Sequence, residues 1–213
     1  MRKIALALSL CSSVVLFAAG SAHERLSEAT KIFNEVMATP DKVIPQDLLK
    51  KAHCIAIVPS LKQGAPGIDG KFGRGYAACR QNQAPWGGPA AIRLVGGSAG
   101  FQTGASNPDI IMLVMNESVM HRLMEDEIKL GSQTTAGIIS WSRSKGVFAG
   151  ISLQGVTLQS DDDVNMELYG SKLTNKDILA GDRPAPSGMM GMLSVALNRY
   201  SPRLVTGGAK TKK

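Results

Sequence analysis

The stretch from Cys54 to Asn116 constrains this chain most, because it sets apolar runs beside closely spaced glycines. Cys54–Val58 is a continuous apolar run, and Gly64, Gly67, Gly70, Gly73 and Gly75 follow it closely. Two further apolar stretches lie at Ile92–Thr103 and Asp109–Met115, the first interrupted by Gly96, Gly97 and Gly100. Short apolar runs bounded by turn residues read as buried strands. Glycines within or beside strands permit bulges, sharp curvature and close approach of another backbone. The pattern predicts a single α+β domain with a curved antiparallel or mixed β-sheet core and flanking helices.

Helical periodicity supplies the flanks. Over residues 24–38, Leu26, Ala29, Ile32, Phe33, Val36 and Met37 fall on one stripe, with Glu24, Glu28, Lys31 and Glu35 opposite. Pro45 opens a short helix that ends in Lys50 and Lys51. Asn116 or Ser118 caps a helix over 117–127 with Val119, Met120, Leu123 and Met124 inward. Tyr76–Cys79 reads as a short strand, and Ile138–Leu153 ends in another. Ser160, followed by three aspartates, reads as the cap of a helix over 161–169, with Asp163 closing the box. A last helix is expected over 189–200, with Met190, Leu193 and Leu197 inward.

The chain begins with Arg2 and Lys3, then a mostly apolar run to Ala19 and a small-residue triplet, Gly20-Ser21-Ala22. This reads as a secretory signal peptide over 1–22. The domain is expected over 23–203, and residues 204–213 form a basic disordered tail. With 24 Lys and Arg against 17 Asp and Glu, the formal charge is +7. That excess is too modest for a nucleic-acid footprint, and it suits an anionic lipid surface better. An exported chain keeping Cys54 and Cys79 is expected to join them in one disulfide, two free buried thiols being the alternative. The bridge would close a loop of about 25 residues, contributing roughly 3 kcal/mol by chain entropy.

Enzyme chemistry finds little support. The glycines match neither a phosphate-binding loop nor a dinucleotide fingerprint. Gly96-Gly97-Ser98-Ala99-Gly100 matches a nucleophile elbow, but that device needs a strand, a turn and then a helix, and no helical pattern follows Ser98. His23, His53 and His121 form no metal-ligand spacing, and the 160–163 run lacks the alternating oxygen ligands of a calcium loop. No cofactor is expected, and the chain is read as not an enzyme.

Several separated runs then arrive in a familiar order. They are residues 54–65, Gly70–Arg80, the loop around Trp86, Ile92–Gly104, Asp109–Asn116, Ser140–Leu153 and Asp162–Gly170. Together they resemble the SYLF-domain family over roughly residues 26–198. The resemblance implies a lipid-binding module without catalytic residues; eukaryotic members bind phosphoinositides, and some yeast members bind actin. It also implies a bacterial exported member in the periplasm, peripheral to a membrane, with an envelope protein as a further possible partner. Lys62, Lys71, Arg74, Arg143 and Lys145 are the expected contacts to anionic phospholipid, with Phe72 and Trp86 as apolar edge contacts. The bridge over 132–137 is shorter than in other members, so a sheet edge is expected to lie exposed. The alternatives are an envelope structural or protein-interaction module and, third, a hydrolase using Ser98.

Overall fold

The computed structural model describes residues 21–39, 44–63, 71–80, 84–96, 107–125, 127–144, 147–180 and 187–201. Helix α1, Ala22–Ala38, buries the predicted stripe and adds Ala22 and Thr30 to it. Ser21 caps it reciprocally with Glu24. Ser21 and Ala22 are therefore part of the folded helix, at the position where the expected leader ends; residues 1–20 and 202–213 lie outside the described residues. Helix α2 is Gln46–Lys51, with Pro45 at its cap position.

The strands are β1 (Cys54–Val58), β2 (Lys62–Gln63), β3 (Lys71–Cys79), β4 (Ala90–Gly96), β5 (Asp109–Val114), β6 (Glu127–Lys129), β7 (Ile138–Ser144), β8 (Val147–Gly150) and β9 (Val156–Ser160). They form one sheet in the order β6-β9-β4-β3-β1-β5-β7-β8, with β2 paired to β3. Each of these pairings is antiparallel. Helix α3 (Glu117–Leu123) is capped by Asn116, and α4 (Asp162–Tyr169), α5 (Asn175–Leu179) and α6 (Met192–Tyr200) complete the elements.

Connection length forces the curvature. In a flat sheet β8 and β9, six steps apart in the order, would lie roughly 29 Å from each other. The chain from Gly150 to Val156 reaches only about 21 Å even when fully extended. The sheet must curl, and two cores result. Ile55, Ile57, Tyr76, Ala78, Ile111 and Leu113 pack beneath α1, α4 and α6. Alternate residues, Cys54, Ala56, Val58, Ala77, Cys79 and Met112, face a second core completed by α3 and α5. Strand β1 is buried at every position because both its faces are covered.

Three expectations change here. Strand β3 is nine residues long rather than four, running back through Gly73 and Gly75. A Cβ on Gly75 would lie 2.1 Å from the Ile57 carbonyl oxygen, so only glycine lets β1 approach. Ser160 ends β9 instead of capping α4; the cap position is Asp161, whose side chain makes no capping bond. Its carboxylate is turned to Arg74 instead. Helix α3 stops at Leu123, and Glu127–Lys129 forms edge strand β6. The short bridge folds into a 3-10 turn at Gln133–Thr135, and the far edge strand, β8, leaves Val147 exposed.

Candidate functional site: the open end of the sheet

Among the described residues, the helices cover one face of the sheet as far as Tyr76 and Ala91, and beyond them Phe72, Arg74, Arg93 and Val95 are exposed. Cross-strand register builds two rows on it. Lys62, Phe72, Val95 and Thr157 pair in succession across β2, β3, β4 and β9. One pleat inward, Arg74, Arg93, Gln159 and Glu127 do the same across β3, β4, β9 and β6. Phe72 is 49% exposed and Val95 41%, an apolar pair left uncovered at the centre of the outer row. A cavity of about 690 Å³ lies over these rows. The start of α1 walls it with Glu24, Arg25 and Glu28, and the β1–β2 turn with Pro59 and Ser60.

The two arginines opposite each other are each held through Nε, one by charge and one by a hydrogen bond. Arg74 Nε sits 3.0 Å from Asp161 Oδ2, and Arg93 Nε donates to Gln159 Oε1 at 3.1 Å. Gln159 in turn donates to Glu127 at 2.9 Å. Each tether uses Nε, so among the described residues the Nη groups of both guanidiniums keep no protein partner. Asp161 is 3% exposed, and its contact with Arg74 is an ion pair without hydrogen-bond alignment. Two guanidinium forks side by side, one of them anchored to a buried carboxylate on its inner side, form a seat for an oxyanion.

The rim is fixed from below. Ser60 adopts a left-handed backbone, φ 47°, a conformation that costs a residue with a side chain. Its amide donates to Asp109 Oδ1 at 3.0 Å, and Asp109 Oδ2 accepts from Arg143 Nε at 3.1 Å. Arg143 Nη1 reaches Glu35 on α1 at 2.6 Å. Burial pulls the Arg143 pKa down, but the hydrogen bonds and charges of Glu35 and Asp109 outweigh it and raise it. Beneath the floor, Tyr76 donates to the Ala22 carbonyl. Burial pushes its phenol up to about 12, partly offset by the neighbouring Arg25 guanidinium.

The site residues expected from sequence separate accordingly. Lys62, Phe72 and Arg74 come together at the cavity. Lys71 begins β3 and pairs with Gln63, and Lys145 lies outside the described residues, as does Ser98. Trp86 is not an edge contact: it is 1% exposed, beneath the Arg80 guanidinium at 4.6 Å, with its amide bonded to Asn198. Arg143 is not a free surface cation, because Glu35 and Asp109 occupy it. Arg93 and Arg25 were missed. Outward alternation in Ile92-Arg93-Leu94 carries a signal for Arg93; nothing local marks Arg25. Cys54 and Cys79, register partners on the second-core face, are joined by a disulfide. Among the described residues no helix is long and apolar enough to cross a membrane, and no cluster of His, Cys, Asp or Glu could hold a metal ion.

Comparison with known proteins bears on what such a site serves. Residues 132–200 match a family model described as Ysc84, Las17-binding protein actin regulator. Yeast (Saccharomyces cerevisiae) LAS seventeen-binding protein 3 is 30% identical over 170 residues, covering 69% of this chain and 37% of that protein. Yeast Protein YSC84 is 29% identical over 181 residues, 75% and 38% of the two chains. The human SH3 domain-containing YSC84-like protein 1 is 25% identical over 189 residues, 78% and 55%. The chain thus spans between about two-fifths and just over half of the length of these relatives. No solved structure matches. Relatives from yeast and mammals overturn the expectation of an exported bacterial protein, and with it the signal, the periplasmic and membrane-peripheral placement and the envelope partner. A basic, apolar chain start is a local pattern; the shared domain extends across most of the chain and carries more weight. The chain is similar in sequence to proteins of the SYLF/Ysc84-like domain family.

Proposed function

We propose that this chain is a non-catalytic lipid-binding module that takes a phospholipid at the open end of its sheet. One observation carries the reading: two guanidiniums tethered by Nε sit directly inside an exposed Phe72–Val95 pair, under an open cavity. The forks take the headgroup phosphate, anionic phospholipids included, Lys62 adds charge at the outer edge, and Phe72 and Val95 hold the lipid's apolar part. Arg143 serves by holding the rim, through Asp109 and Ser60. Co-sedimentation with phospholipid vesicles tests this. Arg93→Gln combined with Phe72→Ser is expected to lower the bound fraction at least tenfold, and unchanged binding sinks the reading.

A second reading has its own observation. The match described as a Las17-binding actin regulator includes α6 and the 3-10 turn Gly188–Gly191 before it, where Met189, Met192 and Val195, three residues apart, are exposed. On this reading α6 meets a protein of the actin machinery. Met192→Ser with Val195→Ser would then reduce pelleting with actin filaments and leave vesicle binding intact; equal pelleting of both proteins removes it.

A further inference from the structure

The open end of the sheet carries an ordered sequence of chemistries along its strands. Rows repeat every second residue, roughly 7 Å apart. Phe72 with Val95 comes first, then Arg74 with Arg93, then Tyr76 with Ala91. The Asp161 amide donates to the Ala91 carbonyl at 3.1 Å, which places Asp161 level with the third row. Asp162 and Asp163 follow in the first turn of α4, both exposed. With Glu127, Gln159 and Ser160 they line a second cavity of about 370 Å³, and Arg93 lines both cavities. The order along the strands is therefore apolar, guanidinium, carboxylate.

Around the two cavities together, carboxylates outnumber cations. A headgroup with only negative charge would gain the guanidinium forks but set its remaining charge towards Asp161, Asp162 and Asp163. A headgroup ending in an amine reverses the sign of that last contact. The carboxylates are not gathered as metal ligands among the described residues. A bulky organic cation needs no such convergence, since it is held by charge spread over a wall.

The geometry points to a zwitterionic phospholipid as the molecule this site takes. Its chains and glycerol lie on Phe72 and Val95, its phosphate accepts from the Nη groups of Arg74 and Arg93, and its amine faces Asp162 and Asp163. The inference rests on the lipid-binding reading above and adds the class of headgroup.

Vesicles of phosphatidylcholine alone and of phosphatidylglycerol alone, at one ionic strength with the full chain, separate the two levels. The wild type is expected to bind phosphatidylcholine at least as tightly as phosphatidylglycerol. Asp162→Asn with Asp163→Asn is expected to weaken phosphatidylcholine binding about tenfold while strengthening phosphatidylglycerol binding. Both aspartates are exposed, so unchanged circular dichroism is expected to certify the fold of the double variant. A phosphatidylcholine-to-phosphatidylglycerol ratio that the double variant leaves unchanged overturns the headgroup assignment, whichever lipid the wild type prefers, and leaves the lipid reading standing. No binding to either vesicle overturns both.

Discussion

Strand β3 has an arginine near each end, and the two have opposite fates. Arg80, just past Cys79, is 5% exposed and spends its donors on the protein. Its Nε bonds the Ala52 carbonyl at 3.1 Å, Nη1 the Ser201 hydroxyl at 3.0 Å, and Nη2 the carbonyls of Leu49 and Lys50. It ties the end of α2 to the end of α6, lies over Trp86, and burial lowers its pKa. Arg74, at the other end, is half-exposed and held by one atom. One guanidinium is a structural clamp; the other is tethered but unspent. The same residue type closes one end of a sheet and leaves the other able to bind.

The comparison implies a gradient along β3: substitutions cost less stability and more binding from Arg80 towards Phe72. At the closed end, Arg80→Met orphans several buried carbonyls and is expected to cost on the order of 4 kcal/mol in urea unfolding. Arg80→Lys should not restore it, since an ammonium cannot reproduce the fork. Opening the adjacent Cys54–Cys79 bridge by Cys79→Ser is expected to cost about 3 kcal/mol. A loss at Arg80 no larger than at Arg93 would break the comparison outright.

Tyr76 lies between the two ends and gives a pH test. Its folded pKa of about 12 exceeds the ordinary 10, so its contribution is complete below pH 10. As pH rises towards 12 only the unfolded chain releases the proton, and stability falls by an amount of about 2 kcal/mol. Tyr76→Phe should flatten that alkaline loss in denaturation curves; a slope equal to wild type removes the assignment. At the open end, Arg74→Gln leaves Asp161 buried without its ion pair and is expected to cost about 1 kcal/mol, discounted for the exposure of Arg74. Arg93→Gln comes last in stability, within about 0.5 kcal/mol of wild type. It should nonetheless reduce vesicle binding more than any substitution at the closed end that leaves the protein folded.

Some of this architecture was legible without coordinates. The inward stripe of α1 was readable because helical periodicity lies within one segment, and each predicted inward residue there is buried. The cap of α3 was readable to two positions, Asn116 or Ser118, from residue type, and Asn116 fills it. The first half of β3 was not, since Gly73 and Gly75 offer no side chain to show a period; a Cβ at Gly75 would meet the backbone of β1, and one at Gly73 the side chains of Val58 and Leu61. Ser160 failed as a cap because the residue after it belongs to a charge pair with a distant strand.

Sequence alone determined that residues 24–38 fold as a helix with one buried face, that Cys54–Val58 and Asp109–Val114 are buried strands, and that a glycine-dense core must pack backbone closely. Those properties follow from side-chain period and backbone freedom, which are local. Only the tertiary structure decided that Arg80 is a clamp, that Arg143 braces a rim, and that Arg74 and Arg93 stand beside each other with donors to spare. The free energy of a guanidinium depends on the carboxylates, carbonyls and water around it. Strand register and a curled sheet choose those neighbours from remote parts of the chain.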